Sequence, residues 1–277
     1  MVYVPIARPN GATRLNAYLL VDLTDEQLNT FKKQFEYGTM ATFATMLELI
    51  IKRAPADYLN KPHAYIRTKE NEAGRDDPFV LIDEQVVSKN AIWYVEQFAD
   101  ETDVEDELAE STSVLWQILI ETEHLPICYI NYEVGNMDIR EDLSNTGVDY
   151  LVPENYEQPN VATSALDMAD FRRQQNADVI AEPGEYEIST DPKLLDSFAP
   201  RPESVARLKG DVAKKAGVLN GWTFYENKVL ERVSDGEYPE GTITLQHLYY
   251  DPDFPWPAYE WPDESSTAIV GPSTGAV

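Results

Sequence analysis

The chain has 277 residues, of which 43% are hydrophobic and 11% aromatic; that is enough apolar material for one large core or two ordinary ones without covalent staples. Forty-nine Asp and Glu against twenty-two Lys and Arg give a net charge of −27 and a pI near 4.3, a surface that repels phosphate backbones and anionic membranes. Nucleic acid and membrane are therefore excluded as expected partners, and a basic protein is the partner this charge can attract.

The N-terminal stretch MVYVPIARPNGATRLN has no basic start and no sustained apolar core, and no run reaches the length of a membrane span. The lone Cys128 lies in an apolar run, which forbids an intrachain disulfide and a cysteine metal cluster and reads as a buried, inert thiol. A cytoplasmic protein is the expectation.

Along the chain, Ala17 to Leu23 has the length of a strand. Thr24 can cap the following helix, with Gln27 reaching back and Leu28, Phe31 and Phe35 forming its apolar stripe. A second helix is expected from Thr39 to Arg53, with Met40, Phe43, Met46, Leu47, Ile50 and Ile51 on one broad face. Strands are expected at His63 to Lys69, Pro78 to Val87 and Ala91 to Phe98, the last two joined by Ser88-Lys89-Asn90 as a hairpin. Asp100 to Glu110 is a solvated acidic segment, and Ser111 to Ile120 and Ile127 to Val134 read as strands. Pro153 to Asn160 is polar and proline-bearing, the expected linker between a domain at 1–152 and a second region at 153–277, unless both form one continuous domain. Helices follow at Ala162 to Gln175 and at Glu203 to Ala216, the latter between Pro202 and Gly217, with a Pro183-Gly184 turn between them. Gly221 to Val233 and Gly241 to Tyr250 pair as a hairpin around Ser234 to Glu240. The pattern defines an α+β fold, a mostly antiparallel sheet with helices packed against it.

The stretch Val134 to Leu151 (VGNMDIREDLSNTGVDYL) resembles the closing signature of the family called domain of unknown function 6924, through Asn136, Met137, Asp138, Glu141, Leu143, Gly147 and Val148. Pro78 to Phe98 is similar to the same family's pair of strands, so the resemblance covers about residues 76–151. It implies no catalytic residue, because the family has no established activity. The residues themselves suggest structure: Asn136 as a helix N-cap, Asp138 facing the positive helix end and Met137 as a core plug.

Catalytic signatures are missing: the chain has no G-x-S-x-G, no phosphate loop and no G-x-G-x-x-G. Of three histidines, His63, His124 and His247, the last stands near Asp251 and Asp253, which read more simply as an Asx turn than as a metal site. No metal, no cofactor and no identifiable catalytic residue are expected, and the oligomeric state is not legible.

The segment Asp251 to Glu264 holds four prolines, so it must run extended, and its Phe254, Trp256, Tyr259 and Trp261 are the candidate binding residues. This proline and aromatic arm docks either on its own chain as a strap or on another chain; Ser265 to Val277 reads as a frayed tail. The leading function is an acidic interaction protein of immunity or inhibitor type engaging a basic partner. A cofactor-independent isomerase or cyclase with an aromatic-lined pocket, and a structural protein of an assembly, are the alternatives.

Overall fold

The computed structural model describes residues 2–4, 12–41, 45–227 and 238–268. They fall into two compact units, one of residues 12–165 with 259–268 and one of 2–4 with 166–258. The boundary lies at Ala165/Leu166, and the chain returns to the first unit at Tyr259, where the sequence suggests a division at 152/153 or one continuous domain.

The larger unit runs β1 (Thr13–Leu19), α1 (Asp25–Gly38), β2 (Leu47–Arg53), α2 (His63–Glu72), β3 (Phe79–Ile82), α3 (Gln85–Ser88), β4 (Ala91–Phe98), α4 (Glu101–Glu105), β5 (Leu115–Glu121), α5 (Leu125–Glu133) and α6 (Ile139–Asn145). Its five-stranded sheet has the order β2-β1-β3-β4-β5. β1 runs parallel to β2 and β3, while β4 runs antiparallel to β3 and β5. Period-2 alternation sends Leu15, Ala17, Leu47, Leu49, Val80, Ile92, Tyr94, Trp116 and Ile118 to one face, where Phe31 and Phe35 of α1, Cys128 and Tyr129 of α5, and Leu143 of α6 close the main core. Each fully buried phenylalanine there contributes about 1.5–3 kcal/mol. Tyr18, Phe79, Leu81, Val95 and Leu115 face the other way, against Ile66 of α2 and Tyr58 of the turn before it.

Three expected elements change type. The helix expected at 39–53 is β2 from Leu47 onward, with Phe43 outside the described residues. Leu47 to Ile50 are all buried, the two-sided run of a strand in a parallel pairing, which a broad helical stripe imitates. His63 to Lys69 is helix: Pro62 occupies the cap position, and Ile66, Arg67 and Glu70 are buried at helical spacing. Ile127 to Val134 is helix too, opened by Pro126 and buried over Leu125 to Tyr129, so it shows no polar face to betray its period.

The expected linker is instead the cover of the β5 edge. Gln117 N–H donates to the Tyr156 hydroxyl, which donates to the Gln117 carbonyl at 2.5 Å. The Gln158 amide accepts from Leu119 N–H at 2.7 Å and donates to its carbonyl at 3.0 Å, so side chains replace a sixth strand along the exposed ladder.

The smaller unit contains α7 (Met168–Arg173), β6 (Asn176–Ala181), β7 (Tyr186–Ser189), α8 (Pro192–Leu195), β8 (Val205–Leu208), α9 (Gly210–Ala216), β9 (Tyr225–Glu226) and β10 (Ile243–Tyr249). It carries a three-stranded sheet β6-β10-β9 and a pair β7-β8, both antiparallel. β9 and β10 form the expected hairpin; most of its Ser234 to Glu240 connection lies outside the described residues. The helix expected from Glu203 begins only at Gly210, because Val205 to Leu208 pair with β7.

Candidate functional site

The arm divides at Ala258/Tyr259. In the smaller unit Phe254 and Trp256 meet edge-on at 4.8 Å, and Trp256 meets Tyr250 at 5.6 Å while its Nε1 donates to the Asp251 carbonyl. Gly217 lies beneath them: it ends α9 with φ +71, and a Cβ there would stand 2.8 Å from Phe254. In the larger unit the Tyr259 hydroxyl donates to Glu48 at 2.9 Å, and Trp261 Nε1 donates to Glu36 at 2.6 Å. The Trp261 ring packs on Phe31 and Phe35 under the Lys32 ammonium. All four candidate binding aromatics are thus half-buried against their own chain. The tail after Ala268 lies outside the described residues.

The remaining candidates resolve individually. His247 reaches Asn176, and Asp251 accepts the Asp253 N–H, the Asx turn expected in place of a metal site. The α6 cap is Asp138, with Glu141 completing a capping box, two residues beyond Asn136; Ile139, not Met137, plugs the core. Cys128 is buried, and burial pushes its thiol up to about 12.

Glu121, Glu123 and His124 approach one another within 4.8 Å, a group no sequence spacing suggested. His124 Nδ1 accepts the Ser164 N–H at 3.1 Å. The neutral ring therefore carries its proton on Nε2, aimed at two carboxylates 3.7 Å away, whereas a cation would need that lone pair. The cluster fits hydrogen bonding better than metal ligation.

Two buried polar networks stand out. On the α2 face Glu70, 1% exposed, accepts Tyr18 at 2.8 Å, Tyr58 at 2.5 Å and both Nε and Nη2 of Arg75 at 2.7 Å. Burial opposes its ionisation, but these donors outweigh it and hold the carboxyl below its ordinary range. On the main-core face Arg140 pairs with Asp103 at 2.7 Å and Asp138 at 3.2 Å and lies over the Trp116 ring at 4.8 Å. Nearby, burial raises the Glu96 carboxyl to about 7, with Asp138 and Glu133 adding repulsion against the pull of Arg140. Sequence reasoning missed both hubs, whose partners are scattered along the chain.

The larger unit has an uneven coat. From residue 90 to 165 Arg140 is the only Lys or Arg, against seventeen carboxylates. Glu101, Glu105, Asp106, Glu107 and Glu110 are exposed along α4 and the turn after it, and Glu110 accepts the Glu154 N–H at 2.6 Å. Beside them Tyr150 is 48% and Leu151 51% exposed, brought there by the pairing of Val152 with Ala109.

The chain matches no family model, no curated protein and no solved structure, so the resemblance of residues 76–151 rests on its own residues. No helix among the described residues is long and apolar enough to cross a membrane.

Proposed function

We propose that the chain is an acidic binding protein of immunity or inhibitor type, whose face from α4 to Glu154 engages a basic protein partner in the cytoplasm. The observation that carries this reading is charge segregation. The seventeen carboxylates of residues 90–165 have one cation among them, and Arg140 is already spent on Asp103 and Asp138. Uncompensated charge of one sign steers an oppositely charged partner, and the exposed Tyr150 and Leu151 supply the apolar contact that affinity needs within a charged rim.

The test uses an oligolysine peptide as probe, read by fluorescence anisotropy from about 50 to 500 mM NaCl. Glu105→Gln with Asp106→Asn and Glu107→Gln should weaken binding about tenfold at low salt, and Asp57→Asn with Asp76→Asn and Glu84→Gln less than about twofold. Equal losses from the two triples would reduce the attraction to net charge and sink the face.

A further inference from the structure

On the α2 side of the sheet lies a cavity of about 280 Å³ between Asn16 of β1, Lys52 of β2 and the 75–79 turn, with Ser266 to Ala268 of the arm along one wall. Its charges sort into two kinds. Glu70 and Arg75 also line it, but they are joined by two 2.7 Å hydrogen bonds and form an electrically neutral wall. Lys52 and Asp77 are opposite charges, and neither makes a side-chain hydrogen bond or ion pair among the described residues. The Asn16 side-chain oxygen is buried and accepts nothing. Phe79 and Pro78 supply the apolar surface.

We propose that this cavity binds a small zwitterion of the free α-amino acid class. A plain anion would meet Lys52 but also Asp77 and the field of a chain at −27, and a plain cation would meet Asp77 but also Lys52. A molecule carrying both charges one carbon apart answers both walls: its carboxylate takes Lys52, and its ammonium takes Asp77 and the orphaned Asn16 oxygen. The volume lies just below the roughly 300–1,000 Å³ of drug-sized sites, which suits an amino acid with a short side chain against Phe79 and leaves no room for a nucleotide.

The experiment titrates the full chain with L-alanine, L-serine, acetate, ethylamine and inorganic phosphate, followed by calorimetry and by the amide NMR signals of Asn16 and Phe79. An amino acid should saturate both signals at about 1 mM or below, with acetate, ethylamine and phosphate at least about tenfold weaker. Lys52→Met and Asp77→Asn, both at solvent-reached positions, should each weaken it about tenfold while melting within a few degrees of the parent. The proposal fails if no amino acid saturates at about 20 mM, if acetate or phosphate binds as tightly, or if both variants bind like the parent.

Discussion

Residues 12–89 and 90–165 share one sheet yet bury their carboxylates by opposite means. The first stretch has twelve carboxylates and ten cations, the second seventeen and one. In the first, buried acids sit on guanidinium groups: Glu48 on Arg14 at 2.6 Å and Glu70 on Arg75. In the second, they rely on neutral donors, as Asp142 does on the Tyr132 hydroxyl at 2.6 Å, and burial then raises Asp142 as it raises Glu96. The exceptions obey the same rule. Asp83 lies in the balanced stretch but is held by Gln85 N–H and Trp93, and burial shifts it upward; Asp103 lies in the acidic stretch, and Trp116, Asp100 N–H and the Arg140 it touches hold its carboxyl down against burial. Glu70 and Asp103, each touching a guanidinium as well as neutral donors, are lowered, whereas Asp83 and Asp142, with neutral donors alone, are raised by burial.

The comparison is broken most violently at Glu70. Replacing it by alanine leaves two buried tyrosine hydroxyls and Arg75 without their shared acceptor, and should cost about 3–5 kcal/mol in urea denaturation. Glu70→Gln keeps one acceptor oxygen and should cost visibly less. A loss below about 1 kcal/mol for alanine would mean that the hub contributes nothing beyond its volume.

Arg140→Gln comes next, at about 2–3 kcal/mol, because it removes the only cation near Asp103 and the stacking on Trp116. Asp103 has a depressed folded-state pKa, so it contributes stability above its unfolded value near 3.8 that is lost as pH falls through the folded one. Without Arg140 that depression shrinks, so the stability difference between parent and variant should be largest near neutrality and close toward about pH 3. A difference independent of pH would assign the effect to packing alone.

How much of this was legible depended on sequence distance. The Thr24 capping box closes over three residues and was read correctly from TDEQ, as was the end of α9 at Gly217. The buried runs at Leu47 to Ile50 and Leu125 to Tyr129 were misread because an element with no polar face has no period to detect. The hubs are hidden for a different reason: Tyr18 and Glu70 are 52 residues apart, and Arg140 lies far along the chain from Asp103 and Trp116, so nothing local announces either group. The α6 cap shows the intermediate case, since NMDI offers two cap-forming residues and only the backbone selects Asp138. The charge imbalance of residues 90–165 is open to counting in the sequence, but it is masked by the dense run at Asp100 to Glu110.

Glu96→Gln carries the smallest expected effect and the most informative sign. The Glu96 carboxyl is raised to about 7 from an ordinary 4.5, so the folded chain prefers it protonated. Its contribution is intact below the unfolded value, is lost as pH rises from about 4.5 through about 7, and leaves an unfavourable buried charge above that. Glutamine copies the neutral acid. The variant should therefore match the parent near pH 4.5 and exceed it by roughly 1–3 kcal/mol at pH 8, read as a flatter profile of the urea midpoint against pH. Arg140 pulls Glu96 downward more than the Tyr94 hydroxyl does, so in the Arg140→Gln background the gain should grow, beginning at the same pH but continuing to a higher one. An additive pair of substitutions would mean that the two side chains do not feel each other, and that the lone cation of the acidic stretch serves Asp103 and Asp138 alone.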